Sequence, residues 1–457
     1  MNLARMLRKR AAENRPVRVG VIGAGKFGTM FIAQARTTTG LHLVGVADLS
    51  GERARAALEK TGWDMSAQIA KDFDAGRKNG GTVITEDADA LIASGLDVLI
   101  DVTGSPAAAI RHSLKAFDHG SHVVNVTVEA DVLAGPVLAA RARKKGLVYS
   151  LAYGDQPALV CEMVDWAEAA GFRVVAAGKG TKYMPGYERS TPETVWTHYG
   201  ITPEAAAKGG MNPQMFNSFI DGTKSAIEMA AISNATGLNA PRDGLAFPPC
   251  SANELNRVLI PRAAGGMLEE PGLVEVVASQ ARDGSELPQH LRWGVYVVFE
   301  PGSEGVSSAY TRRCFSEYGL ASDPEGRYAA LYRPYHFVGL ELGISVAAAA
   351  LRKEATGVAD AFRSDVVATA KKALKPGDVL DGEGGYCAYG KLMRAEDSLA
   401  VRGLPIGLAH KIKVVRPVAE GAPVSWDDVE IAEDDIVKIR REMEQNFAAA
   451  ARRTAAA

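Results

Sequence analysis

The chain has 457 residues, 47% of them hydrophobic, and its 52 Lys and Arg nearly balance its 54 Asp and Glu, giving a net charge of −2. This length predicts several domains with substantial cores, and the near-neutral charge predicts no nucleic-acid or membrane partner. The four scattered cysteines argue against a disulfide framework and a structural zinc site. Because neither a signal peptide nor a bilayer-spanning apolar run is evident, the sequence predicts a cytoplasmic protein.

The most informative segment follows a short amphipathic helix predicted within residues 1–15. A strand at residues 17–22 runs into Gly23-Ala24-Gly25-Lys26-Phe27-Gly28, and a helical pattern follows. In a dinucleotide-binding βαβ unit, the first glycine permits a tight turn, the second lets a pyrophosphate approach bare backbone, and the third lets the helix pack against the strand. We therefore expect a nicotinamide dinucleotide to bind here, contacted by Gly23, Gly25, Lys26, Phe27 and Gly28.

The next predicted strand, residues 43–47, ends on Asp48, twenty residues after Gly28, where a ribose-binding acid belongs. Asp48 by itself favours NAD, because a 2′-phosphate would meet a like charge. Arg53, a few residues later, is a cation that could neutralise that phosphate. The residues at this position therefore leave NAD and NADP open.

Further strands are predicted at residues 82–85, 97–102, 122–126 and 147–152, alternating with helices. This alternation predicts an α/β Rossmann fold with a doubly wound parallel sheet over residues 1–156. Ligands bind beyond the carboxyl ends of such strands, and several strand ends here carry polar residues. We expect these residues at the cofactor: Thr103, Gly104, Ser105 and Asn125.

The regular alternation of strands and helices ends after residue 156. Residues 157–334 predict an α+β catalytic and dimerisation domain with an antiparallel sheet and a long helical segment at 213–233. Residues 335–373 begin with an apolar helix, 335–351, that returns to the first domain. Residues 374–437 predict a small β-rich domain, and residues 438–457 a helical tail.

Polar residues in the second domain suggest a substrate site. Lys179 and Lys182 follow a predicted strand. A helix over 213–233 would place four polar residues on one face: Asn217, Asp221, Lys224 and Glu228. The alternative for such a face is a solvated charged stripe. His198 and His336 are interpreted as core or interface residues.

Three segments together resemble homoserine-dehydrogenase-like oxidoreductases: Gly23–Gly28, Asp97–Gly104 and Tyr335–Gly343. The segment from Lys375-Pro376-Gly377-Asp378 resembles a SAF domain, and the combination is similar to the 1-deoxy-D-xylulose 5-phosphate reductoisomerase-like enzymes. That resemblance implies a homodimer that uses NADPH to rearrange and reduce 1-deoxy-D-xylulose 5-phosphate to 2-C-methyl-D-erythritol 4-phosphate, a step of isoprenoid precursor biosynthesis. No stretch closely matches the paired catalytic Asp and Lys of homoserine dehydrogenase itself.

A reductoisomerase must polarise a ketone and its neighbouring hydroxyl, which a Mg²⁺ or Mn²⁺ ion held by carboxylates does well. Glu129 and Asp155 are the first metal-ligand candidates, and Asp131 and Glu228 are the next. Alternatively, these carboxylates cap the helices that follow them. The predicted catalytic residues are Lys182, Asp155, Glu129 and Lys224. The predicted substrate-binding residues are Lys179, Asn217, Ser218 and Glu228.

Two other functions remain open from the sequence. One is an NAD(P)-dependent dehydrogenase of a hydroxy acid, sugar acid or homoserine-like substrate that catalyses no rearrangement. The other is a binding protein whose dinucleotide site senses redox state. The polar residues gathered at strand ends favour an enzyme.

Overall fold

A computed structural model describes residues 2–323 and 325–456, with side chains described through residue 448. The chain divides into two compact units. The first unit comprises Met1–Leu159 and Phe337–Asp360, and the second comprises Val160–His336 and Ala361–Ala457. Each unit is described separately below.

The first unit contains a seven-stranded, all-parallel sheet in the order β3-β4-β2-β1-β5-β6-β7. The buried strands read as apolar runs because helices cover both faces of a doubly wound sheet. The predicted Rossmann fold is confirmed, and the short strand β3 is an addition that the sequence pattern did not indicate. The strands are β1 (Val17–Ile22), β2 (Leu41–Ala47), β3 (Ile69–Ala70), β4 (Thr82–Thr85), β5 (Val98–Asp101), β6 (His122–Asn125) and β7 (Tyr149–Leu151).

Helices alternate with these strands, and several begin at a side chain that accepts a hydrogen bond from a first-turn amide, as Ser50, Asp72, Asp87 and Ser105 do. The helices are α1 (Leu3–Ala12), α2 (Lys26–Ala35), α3 (Gly51–Lys60), α4 (Phe73–Asn79), α5 (Ala88–Ile92), α6 (Pro106–Asp118) and α7 (Val128–Lys144). Helix α8 (Gln156–Ala169) begins in this unit, and most of its residues belong to the second.

The apolar helix predicted to return to the first domain does so as α15 (Leu342–Arg352). It begins at Leu342 rather than at Tyr335, after a turn in which Gly339 has φ +89°. A Cβ at Gly339 would lie 2.8 Å from the carbonyl oxygen of Phe27, so this turn approaches the backbone of α2 closely. The buried residues of α15 join the core formed by β1 and α2, and this apolar burial is what holds the returning segment in the first unit.

The second unit is built around a four-stranded sheet in the order β11-β10-β8-β9. The sheet is mixed rather than purely antiparallel as predicted, because β8 pairs antiparallel with β10 but parallel with β9. β8 also extends beyond the predicted strand and carries Lys179 within it. The strands are β8 (Phe172–Thr181), β9 (Leu273–Ala278), β10 (Val295–Pro301) and β11 (Ala329–Arg333).

The single helix expected over residues 213–233 is two helices, α11 (Pro213–Ile220) and α12 (Thr223–Thr236). Gly222 separates them with φ +86°, a left-handed conformation that glycine adopts without steric penalty. The other helices that precede β11 are α9 (Val195–Tyr199), α10 (Pro203–Lys208), α13 (Leu255–Val258) and α14 (Gly305–Glu317). Single 3₁₀ turns occur at Tyr187–Arg189, Ala252–Glu254 and Arg262–Ala264.

The C-terminal part of the second unit is rich in short strands, as the Gly and Pro spacing predicted. β12 pairs with β14, and β13, β15 and β16 form a three-stranded sheet. The elements are β12 (Ser364–Ala370), β13 (Val379–Asp381), β14 (Ala388–Arg394), α16 (Ala395–Ala400), β15 (His410–Val414), β16 (Val429–Glu430) and α17 (Asp435–Ala456), with 3₁₀ turns at Ile406–Leu408 and Trp426–Asp428. Among the described residues, no helix combines the length and apolarity needed to cross a bilayer.

Candidate functional site

The glycine motif forms a bare cradle at the end of β1. Gly23 has φ +108°, and a Cβ there would lie 2.7 Å from the carbonyl oxygen of Val102. A Cβ at Gly28 would overlap the carbonyl oxygen of Gly23, whereas one at Gly25 would meet nothing within 4 Å. The backbone packing of the protein therefore requires glycine at positions 23 and 28, with or without a ligand. Gly25 leaves space on the outer side of the loop, where a ligand can approach the backbone.

The N-terminus of α2 faces this loop, with Gly25 as the residue that precedes the helix. The amides of Lys26 and Phe27 lie in the first turn, where a helix offers no carbonyl acceptor, and the helix dipole favours negative charge there. A diphosphate supplies both the charge and the acceptors. The residues present thus fit a dinucleotide pyrophosphate.

Asp48, at the end of β2, connects this loop to the predicted ribose site. Its carboxylate accepts hydrogen bonds from the amides of Ala24 (2.8 Å) and Ser50 (2.9 Å) and from Arg53 Nε (2.9 Å) and Nη2 (2.5 Å). Burial alone would raise the pKa of Asp48, but these hydrogen bonds outweigh it and hold the pKa below its ordinary value. Asp48 is thus ionised and already neutralised by Arg53. A second carboxylate, Glu86, accepts from the amide of Gly51 at 2.8 Å.

The loop after β5 is held by the buried carboxylate of Asp101. One oxygen accepts from the amide and hydroxyl of Thr103 and from the hydroxyl of Thr127, and the other lies 2.7 Å from His112 Nδ1. The Thr127 hydroxyl also accepts from the amide of Gly104. The predicted cofactor residues Thr103 and Gly104 therefore lie on a loop whose conformation is held by hydrogen bonds to the side chains of Asp101 and Thr127. The next residue, Ser105, caps α6.

Asn125, at the end of β6, belongs to a buried polar cluster with Asp131 and Tyr149. Its Nδ2 lies 2.6 Å from Asp131 Oδ2, 2.9 Å from the Thr127 carbonyl oxygen and 3.1 Å from the Tyr149 hydroxyl. Burial raises the pKa of Asp131 to about 7, opposed by hydrogen bonds from Asn125 and Tyr149 and reinforced by the negative charges of Glu129 and Asp155. Asn125 is therefore held in one orientation by a carboxyl group that titrates near neutral pH.

The residues of this region do not fit a divalent-cation site. Within residues 2–323 and 325–456, no group of three or more His, Cys, Asp and Glu side chains is arranged to hold a metal ion. The negative charges of Glu129 and Asp155 reach Asp131, but among the described residues these three carboxylates do not form such a group. The metal site predicted for Glu129 and Asp155 gains no support.

In the second unit, the predicted substrate residues Lys179 and Glu228 form a buried ion pair. Lys179 projects from β8, and Glu228 lies in the middle of α12, with side chains only 6% and 4% exposed. Such a pair is neutral overall, and separating its members in a low-dielectric environment is costly. A substrate that contacts either charge would first have to open this pair.

The break at Gly222 also separates the other residues expected on one helix face. Asn217, on α11, donates from Nδ2 to the carbonyl oxygens of Ser190 (2.9 Å) and Gly384 (2.8 Å), and Ser218 donates its hydroxyl to Met215. Lys224 and Glu228 lie on α12. The structure therefore does not bring Asn217 and Ser218 onto the face that carries Lys224 and Glu228.

Two further carboxylates are buried in this unit: Asp221, which the sequence placed on the predicted helix face, and Glu275, which sequence reasoning missed. Asp221 accepts from Lys371 Nζ at 2.7 Å, and this ammonium also donates to the carbonyl oxygens of Ser190 and Gly385. Among the described residues, the carboxylate of Glu275, on β9, accepts hydrogen bonds only from backbone amides, and burial raises its pKa to about 7. Asp221 ends α11 instead of lying within one long helix, and no local pattern marked Glu275, which lies within an apolar strand.

Lys182 directly follows β8 and is half-buried. Burial lowers its pKa, the nearby charge of Arg292 lowers it further, and Glu286 opposes both. His198 packs its ring against Tyr187, with centroids 4.2 Å apart, and His336 Nδ1 lies 2.8 Å from the carbonyl oxygen of Trp293. The pKa of Lys182 is therefore lower than that of a solvent-exposed lysine.

Two consecutive parts of the chain match known family models. Residues 19–150 match the NAD-binding domain of homoserine dehydrogenase, and residues 154–342 match the catalytic domain described as oxidoreductase DRL. These matches support an NAD(P)-dependent oxidoreductase, and they agree with the parallel sheet and the glycine cradle. A search of curated proteins found no match.

Solved structures with detectable likeness include the myo-inositol dehydrogenase of Lactobacillus casei, at 22% identity over 40% of this chain and 52% of that one, TM-score 0.27. The UDP-N-acetylglucosamine 3-dehydrogenase GnnA of Acidithiobacillus ferrooxidans is 19% identical over 37% and 48% of the two chains, TM-score 0.26. A putative myo-inositol dehydrogenase of Sinorhizobium meliloti is 13% identical over 74% and 87%, TM-score 0.34. This chain thus spans about half the length of the first two of these proteins.

Proposed function

We propose that this protein is an NAD(P)-dependent dehydrogenase or reductase of a small substrate such as a hydroxy acid, a sugar acid or a homoserine-like alcohol, and that it does not rearrange the carbon skeleton. The observation that carries the proposal is the open backbone at Gly25 beside the first turn of α2. A diphosphate supplies acceptors for the first-turn amides of this helix and the negative charge that its dipole favours.

The bound nicotinamide supplies or accepts the hydride. The chain's own residues hold the cofactor in place: Gly23, Gly25 and Gly28 shape the cradle, and the amides of Lys26 and Phe27 face the diphosphate. Thr103, Gly104 and Ser105, on the loop fixed by Asp101, and Asn125, fixed by Asp131, are the proposed contacts nearer the nicotinamide. Their rigidity favours a defined ring position, because preorganised contacts lose little entropy on binding.

We propose NADPH as the cofactor form. Arg53 uses Nε and Nη2 to neutralise Asp48, and its side chain is 55% exposed, so its remaining N–H groups are available to a 2′-phosphate. Charge-assisted hydrogen bonds from an arginine to phosphate are among the stronger polar contacts. Glu86 opposes this preference by placing a carboxylate at the start of α3.

Lys182 is the proposed proton donor and acceptor for the substrate oxygen. Its lowered pKa brings the amine closer to the range in which it exchanges a proton at neutral pH. Lys182→Met should then lower kcat while leaving the dissociation constant for NADPH unchanged. A drop in cofactor affinity of the same size would instead indicate a structural role.

The test begins with calorimetric titration of the purified protein with NADPH, NADH and their oxidised forms. Turnover is then followed at the absorbance of the reduced nicotinamide with a panel of hydroxy acids, sugar acids and amino alcohols. Binding with turnover of a substrate that keeps its carbon skeleton supports the proposal. Failure of every pyridine nucleotide to bind the folded protein overturns it.

The same assay also tests the reductoisomerase reaction implied by the resemblance, in a separate set of measurements. 1-Deoxy-D-xylulose 5-phosphate is added with NADPH, once with Mn²⁺ and once with a chelator. Oxidation of NADPH with formation of a branched product would replace the proposed reaction by the rearrangement. Loss of that activity on chelation would restore a metal requirement.

A further inference from the structure

Two cations and a histidine gather at the end of β8 in the second unit. The turn Leu291–Gly294, closed by a hydrogen bond from the Gly294 amide to the Leu291 carbonyl oxygen, runs beside Gly180, whose amide donates to the Gly294 carbonyl oxygen at 3.0 Å. A Cβ at Gly180 would overlap the backbone of Leu291. β10 continues from this turn with Val295 opposite Lys179. Arg292 therefore belongs to the turn that lies against the end of β8, and Lys182 directly follows that end.

The electrostatics agree with this backbone arrangement. The charge of Arg292 lowers the pKa of Lys182, after the larger effect of burial, and the charge of Lys182 in turn lowers the pKa of His198, again after burial. Glu286 is the carboxylate whose charge acts on Lys182 in the opposite sense. Its side chain is 62% exposed and lies 3.2 Å from His290 Nε2, so it neutralises the group only partly.

Neither Lys182 nor Arg292 forms an ion pair with a carboxylate in the described part of the chain. Cζ of Arg292 instead lies over the ring of Trp293, 5.0 Å from its centroid, a contact that does not neutralise the guanidinium charge. This contrasts with Lys179 and Lys371, which are each paired with a buried carboxylate. Half-buried like charges held close together without counter-ions are stabilised by an anion from solution.

We propose that Lys182, Arg292 and His198 form an oxyanion subsite that binds a carboxylate or phosphate of the substrate. The inference rests on the proposed function and narrows its substrate to an anionic one. The planar guanidinium of Arg292 matches two oxygens of either group, and it lies beside the lysine proposed for proton transfer. An anionic group held here sits close to the reacting oxygen, as in a 2-hydroxy acid or a short phosphorylated sugar.

The test measures binding of two small anions, oxalate and inorganic phosphate, to the full-length protein by calorimetry at low ionic strength. The variants are Arg292→Gln, Arg292→Lys and, as a matched control, Arg257→Gln, which removes an exposed arginine of α13. We expect saturable binding of at least one anion to the unchanged protein and to Arg257→Gln. Arg292→Gln should weaken that binding by roughly ten- to a hundredfold, the size of a lost charged hydrogen bond, and Arg292→Lys by less.

Preference for oxalate would identify a carboxylate substrate, and preference for phosphate a phosphorylated one; either result supports the subsite. Equal anion binding by Arg292→Gln and the unchanged protein, or no saturable binding of either anion, overturns it. NADPH affinity is measured in parallel and should be the same in all variants. Intact NADPH binding without anion binding would contradict the subsite alone, whereas anion binding without NADPH binding would contradict the proposed function.

Discussion

Arg53 donates from Nε and Nη2 to a single oxygen of Asp48, and the other oxygen of that carboxylate holds the amide of Ala24 in the glycine loop. One acidic side chain therefore joins the diphosphate cradle to the ribose site. The carboxylate that would otherwise repel a 2′-phosphate is neutralised by the guanidinium that can bind it. The pair makes cofactor preference measurable through Arg53, because removing Asp48 would also release the loop.

Arg53→Ala should weaken NADPH binding by roughly ten- to a hundredfold, the range expected for a lost charged hydrogen bond. NADH affinity should change much less, since NADH lacks the phosphate. Dissociation constants from fluorescence titration check both values. Equal losses for the two cofactors would show that Arg53 acts on the loop through Asp48 rather than on the phosphate.

Gly25→Ala should leave the fold intact and abolish tight cofactor binding. The added methyl group meets no protein atom within 4 Å, but it occupies the side from which the diphosphate approaches. Gly28→Ala is the matched comparison, because its Cβ overlaps the carbonyl oxygen of Gly23 and should lower the melting temperature. A Gly25→Ala protein that binds NADPH normally would place the diphosphate elsewhere.

Asp131→Asn should flatten the pH dependence of stability. The pKa of Asp131 is about 7 in the folded protein and 3.8 ordinarily, so the folded state binds more protons between these values. The stability that this group contributes is complete below pH 3.8 and is lost as the pH rises to 7, by about 1.4 kcal/mol per pH unit.

Urea unfolding at pH 5 and pH 7.5 measures this effect. The decrease in the free energy of unfolding between the two pH values should shrink by about 3 kcal/mol in Asp131→Asn. Glu275→Gln, at the other buried carboxyl with a pKa of about 7, should remove a separate decrease of the same sign. An unchanged pH dependence in Asp131→Asn would mean that the carboxyl is ionised in the fold.

Lys179→Met should destabilise the protein by about 3–5 kcal/mol, because it leaves the carboxylate of Glu228 buried without a counter-charge. The double variant Lys179→Met with Glu228→Gln should recover much of that loss, since no charge is then buried. Chemical unfolding of the three proteins is the measurement. If Lys179→Met were fully stable but showed a raised KM, the substrate role predicted from the sequence would be favoured instead.

Local sequence patterns were sufficient to predict the fold of the first unit. Alternating apolar strands and helices predicted the parallel sheet, and the spacing of Gly23, Gly25, Gly28 and Asp48 predicted the dinucleotide cradle. Each of these signals depends on neighbouring residues, because strand burial, tight turns and helix starts are set within about twenty residues. The fold of this unit and its cofactor class could therefore be derived from the sequence.

The arrangement of the charged residues in the second unit depends on contacts between residues that are far apart in the sequence. A helical pattern cannot reveal that Gly222 divides α11 from α12 or that Lys179 forms a buried ion pair with Glu228. Nor can it reveal that the turn before β10, which carries Arg292, lies against the end of β8. The sequence shows which of these residues carry a charge. Whether a charge is neutralised by a counter-ion depends on which residues the fold packs next to it. The sequence by itself thus determined the cofactor cradle, and only the tertiary structure decided which charged residues remain available to a substrate.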